Sequence, residues 1–286
     1  MLRFLVAESE TADEREARRA HVGTSSGETY IETLLELAPD AQCDRIAPAD
    51  PDGDAPDVAT LAAYDAVFIT GSPLHVYEDS PAVRRQLDFM RAVFASGTPS
   101  FGSCAGLQVA VAAAGGQVQP MDKRQEAGFA RRIAATDAGR DHPLLAGRPA
   151  AYDAPAIHGD EVASLPADAT LLASNSVTRV QAAEIRHDGG IFWGVQYHPE
   201  LSLGEIAVAL RRQQDDLIEQ GLVADEADLE RQAVLIETLG NDPARHDLAW
   251  QLGLNEQVVE PATRRTELRN FIDHLVARVR RDRGRT

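Results

Sequence analysis

The apolar positions fall into two regimes. In the first half, short unbroken apolar runs alternate with stretches of helical period. Residues 2–7 form the first run and read as a buried parallel strand. Residues 64–70, centred on Ala66-Val67-Phe68-Ile69, form a second. Between them, Tyr30, Ile31, Leu34, Leu35 and Leu37 recur at helical spacing and predict a helix over 28–38. Residues 8–27 are polar and read as a loop with little more than a helical turn, and the Asp/Pro/Gly-rich stretch 49–57 as a loop. Residues 80–96 predict an amphipathic helix, with Ser80-Pro81 opening it, Gly97 closing it, and Val83, Leu87, Met90, Val93 and Phe94 as its stripe. A third apolar run ends at Phe101, and residues 107–114 read as a buried helix stopped by Gly115-Gly116.

The second half begins strand-rich. Residues 117–119, 129–135, 151–157, 169–174, 179–186 and 191–197 read as strands, and Asp188-Gly189-Gly190 as a hairpin turn. Helical periodicity then returns. Ile206, Leu210 and Leu217 mark one helix; Leu229, Val234, Leu235 and Leu239 a second; Leu248, Trp250 and Leu252 a shorter third. A final helix over 263–281 carries Leu268, Phe271, Ile272, Leu275 and Val276. The expected fold class is α/β: a three-layer, open, mostly parallel sheet flanked by helices, with an added C-terminal helical segment.

Composition narrows the partners. The chain has 286 residues, 44% of them hydrophobic, enough for a full core. Its net charge of -17 makes nucleic acid and anionic membrane poor partners. Lys123 is its one lysine among 28 basic residues, which points to compositional bias rather than function. Two cysteines, Cys43 and Cys104, make no disulfide framework and fit a reducing cytoplasm. No signal peptide and no membrane-length apolar run is visible. The aspartates of 49–57 are read as a solvated acidic turn rather than a metal site, so neither metal nor cofactor is expected.

Two stretches carry candidate chemistry. Gly102-Ser103-Cys104-Ala105-Gly106 lies between a strand end and a helix start. That is the nucleophile-elbow pattern with sulfur in place of oxygen, and a thiol at a helix N-terminus gains thiolate character. A lone Cys would read as a small buried residue; glycine on both sides favours the elbow. Downstream, Gln196-Tyr197-His198-Pro199-Glu200 ends a strand. Residues i and i+2 of an extended segment share a face, so Glu200 can orient His198.

These motifs resemble the two signatures of the class I glutamine amidotransferases. Thr70-Gly71-Ser72-Pro73 resembles the Gly-rich oxyanion loop of that family, in the form found in GMP-synthase-like members, and the three motifs come in the family's order. The resemblance spans roughly residues 1–200 and the final helix. It implies a flavodoxin-like class I amidotransferase fold and a Cys104–His198–Glu200 triad. It implies oxyanion donors at Gly71, Ser72 and Ala105 and a substrate contact from Gln108. It also makes His158, in His158-Gly159-Asp160, a substrate-side candidate whose other reading is a structural histidine. The domains expected are an amidotransferase unit over 1–203, a helical insertion over 204–260 and a closing helix over 261–286. The insertion either covers the site, builds a partner interface, or is a packed appendage.

The activity implied is hydrolysis of L-glutamine through a γ-glutamyl thioester, with ammonia passed to a separate synthase, since no nucleotide-binding motif occurs in this chain. A stand-alone γ-glutamyl hydrolase or peptidase is the alternative. A non-catalytic regulatory subunit is the reading from another class, and an intact Cys-His-Glu set argues against it. Homo-oligomerisation is left open.

Overall fold

Side-chain alternation along the strands assigns the layers. The computed structural model describes residues 1–53, 55–122 and 125–284; Asp54 of the acidic loop, Lys123 and the last two residues of segment 261–286 lie outside them. The strands are β1 (Arg3–Ala7), β2 (Gln42–Ile46), β3 (Ala66–Ile69), β4 (Ser100–Ser103), β5 (Gln117–Pro120), β6 (Glu126–Ala135), β7 (Ala151–His158), β8 (Asp160–Ser164), β9 (Ala169–Ser174), β10 (Ala182–His187) and β11 (Gly190–Val195). Among the described residues they form a nine-stranded sheet of order β2-β1-β3-β4-β11-β10-β9-β6-β7, and a small β5-β8 ribbon. β2, β1, β3, β4 and β11 pair in parallel; from β11 through β10, β9 and β6 to β7 the pairing is antiparallel.

Phe4, Val6, Phe68, Phe101, Trp193 and Val195 face one side, packed with Tyr30 and Leu34 of the Ser26–Leu37 helix and with Leu268, Phe271 and Leu275 of the C-terminal helix. Leu5, Ala7, Val67, Ile69 and Phe192 face the other, against Met90, Val93 and Phe94 of the Pro81–Ser96 helix and Leu107, Ala110 and Val111 of the Ala105–Ala113 helix. Period 2 in the strands thus builds both faces of a three-layer α/β domain.

The helices after Glu200, Leu203–Arg212, Gln214–Glu219, Glu226–Asn241 and His246–Leu252, build a third core from Ile206, Leu210, Leu217, Leu229, Ile236 and Leu239. This core closes on Ala127 and Phe129 of β6 and Ile157 of β7. Its outward side carries Trp250, 86% exposed, whereas Trp193 in β11 is 2% exposed and donates its indole N–H to Glu184. No described helix is long and apolar enough to cross a membrane.

Three local differences from the sequence reading have physical causes. Residues Ala12–Val22 form a helix, with no buried residue, held by a Thr11/Glu14 capping box and closed by Gly23 in the left-handed region. Such a helix lacks the apolar stripe on which a periodicity argument depends. β2 is an edge strand of mixed polarity, Gln42-Cys43-Asp44-Arg45-Ile46, and carries no alternation to read. The closing helix is interrupted at Phe271–Val276 by a π-helical stretch.

Candidate active site

The parallel pairing of β4 with β11 brings the two motifs together. Ser103 is in register with Val195, and the Cys104 N–H donates to the Val195 carbonyl at 2.8 Å. Both chains therefore leave the sheet at the same end, Cys104 into a helix and Gln196 toward His198. Cys104 caps the Ala105–Ala113 helix with φ 52° and ψ -112°, a conformation that L residues rarely adopt. The elbow needs its glycines because backbone crowds it: a Cβ on Gly106 would lie 2.4 Å from the Ile69 carbonyl oxygen.

His198 is anchored at its backbone by donation to the Pro155 carbonyl, 2.7 Å away, and at its ring by donation from Nδ1 to Glu200 Oε1, also 2.7 Å. The side chains of Cys104, His198 and Glu200 are all buried. Burial by itself pulls His198 down, but the charge of Glu200 and then that of Cys104 outweigh it and push the imidazole up to about 10. At neutral pH the ring is an imidazolium.

Gly71 closes the cluster. A Cβ there would stand 2.8 Å from His198 Cε1 and 3.7 Å from Cys104 Cβ, so the loop backbone lies directly against both. Thr70, just before it, receives the Ser9 N–H and donates to the Gly71 carbonyl. Ser72 turns the loop by accepting the Leu74 N–H. The Ala105 N–H opens the elbow helix, where helical geometry supplies it no acceptor.

Gln108 and His158 lie beside this centre in a buried polar network. Gln108 Nε2 donates to the Asp160 carbonyl at 3.2 Å and to Gln196 Oε1 at 3.3 Å. His158 uses both ring nitrogens within the protein, Nδ1 on the Asp160 carbonyl and Nε2 on Glu126 Oε2. Glu126 also takes donors from Asn175, Thr178 and Gln181; burial opposes its charge, but His158, then Asn175 and Gln181, hold its carboxyl below the usual range. The Asp160 carboxylate is gripped by His75 at 2.7 Å and Tyr77 at 3.2 Å, both from the segment after Gly71-Ser72-Pro73.

The sequence reading missed the support behind the carboxylate. Ser103, the unassigned position before the nucleophile, donates to Glu200 Oε1 at 2.9 Å, and Tyr30 Oη lies 2.9 Å from Ser103 Oγ. No local signal marks either residue. Among the described residues, no group of three or more His, Cys, Asp or Glu is arranged to hold a metal ion.

The family model for class-I glutamine amidotransferases matches residues 38–214. The chain belongs to that family. This amidotransferase is 36% identical over 280 residues to a γ-glutamyl-L-1-hydroxyisopropylamide hydrolase of Pseudomonas sp, covering 96% of this chain and 93% of the relative. It is 34% identical over 139 residues to the glutamine-hydrolysing GMP synthase of Leifsonia xyli subsp. xyli (strain CTCB07), covering 49% of this chain and 26% of that enzyme. Among solved structures, a glutamine amidotransferase of Thermotoga maritima superposes with TM-score 0.64 at 15% identity, over 96% of this chain and 98% of the other. One from Methylobacillus flagellatus superposes with TM-score 0.58 at 20% identity, over 89% and 96%. The fold is that of this family, including its large sheet flanked by helices.

Proposed function

We propose that this class-I glutamine amidotransferase hydrolyses a γ-glutamyl amide of a small amine, with Cys104 as nucleophile, His198 as proton carrier and Glu200 as the group that orients it. The observation that carries the chemistry is the meeting of a positive-φ cysteine with an imidazole bonded to a carboxylate 2.7 Å away. The sulfur of Cys104, with its proton held by His198, attacks the γ-carbonyl. The N–H groups at Gly71, Ser72 and Ala105 receive the oxyanion. His198 gives its proton to the departing amine and then takes one from the water that resolves the thioester. Gln108 is assigned to substrate. His158, with both nitrogens engaged, fits better as a residue that holds Asp160 and the strand end.

Similarity favours the hydrolase over a subunit that feeds ammonia to a synthase. The γ-glutamyl amide hydrolase of Pseudomonas sp aligns with 96% of this chain, whereas the Leifsonia GMP synthase aligns with 49%. We assign the 204–260 segment to the hydrolase as a helical unit of its own. The test is release of amine from a γ-glutamyl alkylamide against release of ammonia from free glutamine. Turnover of the alkylamide exceeding that of glutamine, and lost in Cys104→Ala, is expected. Glutamine turnover that rises only with a partner protein would restore the amidotransfer reading. Turnover surviving Cys104→Ala would overturn the nucleophile.

A further inference from the structure

One helix reaches the base of the Gly71 loop, the residue before Cys104 and the Glu200 backbone through hydroxyl groups. On the Ser26–Leu37 helix, Ser26, Thr29, Tyr30 and Thr33 recur at helical spacing and so share a face. Ser26 Oγ donates to Thr70 Oγ1, at the base of the Gly71 loop, at 3.1 Å. Thr29 Oγ1 donates to Glu205, in the first turn of the helix that follows Glu200, at 2.9 Å. Thr33 Oγ1 reaches the Glu200 backbone carbonyl at 3.5 Å. Tyr30 meets Ser103, which meets the Glu200 carboxylate.

The last contact has a direction. Ser103 has one hydroxyl hydrogen and gives it to Glu200, so at the Tyr30 contact the phenol is the donor and Ser103 the acceptor. The chain runs Tyr30, Ser103, Glu200, with His198 donating to the same Oε1 from the other side. Tyr30 and Ser103 are fully buried, and Glu200 Oε2 is buried without a hydrogen-bond partner among the described residues. With the other oxygen unanchored, the orientation of this carboxylate depends on what converges on Oε1.

We propose that Tyr30 and Ser103 are positioning residues, a hydroxyl relay from this helix that fixes Glu200 against His198. The proposal rests on the triad reading above and deepens it. Neither residue touches substrate; each acts through the carboxylate. Cutting the relay releases Glu200 to rotate toward its unpartnered side and weakens the ion pair that keeps the imidazolium charged.

The experiment is a double-mutant cycle of Tyr30→Phe and Ser103→Ala, with kcat, KM and the pH profile measured on a γ-glutamyl alkylamide. Tyr30→Phe removes one oxygen and keeps the ring in its packing, and a thermal melt reports the fold of each variant. Each single change should lower kcat by about tenfold, the scale of a hydrogen bond to a charged group, with KM nearly unchanged. The double variant should be no slower than Ser103→Ala, because both break one chain. The alkaline limb of kcat should move to lower pH in each. A wild-type kcat in Tyr30→Phe, losses that multiply in the double variant, or an unmoved alkaline limb would each overturn the relay. Cys104→Ala separates the two claims: if it is inactive while the relay variants behave as wild type, the triad stands and the relay falls. If it is active, the triad itself falls.

Discussion

Cys104 occupies backbone space that costs a non-glycine residue about 1–3 kcal/mol, and the structure around it over-determines that choice. Its N–H is tied to β11, and its neighbours at 102 and 106 leave no room for side chains. Cys43 differs in kind: burial and then Asp44 push its thiol up to about 11, so it stays protonated at neutral pH. A glutamine-like electrophile such as diazo-oxo-norleucine should therefore label wild type and Cys43→Ala alike and fail on Cys104→Ala, as read by intact mass. His198 gives a pH signature. Its value near 10 lies above its ordinary 6.5, so its proton stabilises the folded state fully below about 6.5, and that contribution is lost as pH rises through 10. The melting temperature should decline along that window, and activity should fall only as pH rises through about 10. In Glu200→Gln the alkaline limb should fall toward the ordinary range, with kcat lower by up to about 10⁴-fold. The Cys and His-x-Glu motifs were legible because each is local. Ser103 and Tyr30 were not: Tyr30 reads as one more member of an apolar stripe, and its hydroxyl acquires meaning only across 73 positions of chain.

At the scale of elements, the strands and amphipathic helices followed hydrophobic pattern, and the elements that pattern passed over were those that bury little. Residues Ala12–Val22 are organised by capping and by Arg19, which pairs with Glu28 in the next helix, at 2.8 Å. The hairpin at Asp188-Gly189 was legible since both residues take positive φ, which that dipeptide favours. Close approach makes the elbow helix intolerant: Gly106→Ala should destabilise by about 1–3 kcal/mol in denaturant titration, as a methyl group is forced against the Ile69 carbonyl. The C-terminal helix is fastened differently. Arg148 and Glu267, both buried, pair at 2.7 Å, with Tyr197 donating to the same carboxylate and Tyr152 bonded to Tyr197. Arg148→Met leaves Glu267 charged and without its partner. It should cost about 3–5 kcal/mol, while Arg148→Met combined with Glu267→Leu should recover much of that.

Over the whole molecule, the contacts of the helical segment after Glu200 with the sheet domain include an apolar contact with β6 and β7, donation from Arg131 of β6 to the Leu252 and Gly253 carbonyls, and the Arg18–Glu205 ion pair at 2.7 Å that Thr29 completes. Glu205→Gln should lower the melting temperature by several degrees, because Arg18 is mostly buried and would lose its charge partner. The existence of this segment was legible from periodicity. Where it docks was not, because Ala127, Phe129 and Ile157 alternate as any half-buried strand would, whatever covers them.

The two indoles lie in opposite settings, one locked in β11 under Glu184 and the other on the outer side of the appended helices, almost entirely in water. Their emission should therefore separate by wavelength and by iodide quenching, with no label added. Blue-edge signal would follow the melting of the central sheet and red-edge signal the appended helices. A single fluorescence titration would then tell whether the sheet layers and the helices after Glu200 come apart together or in turn.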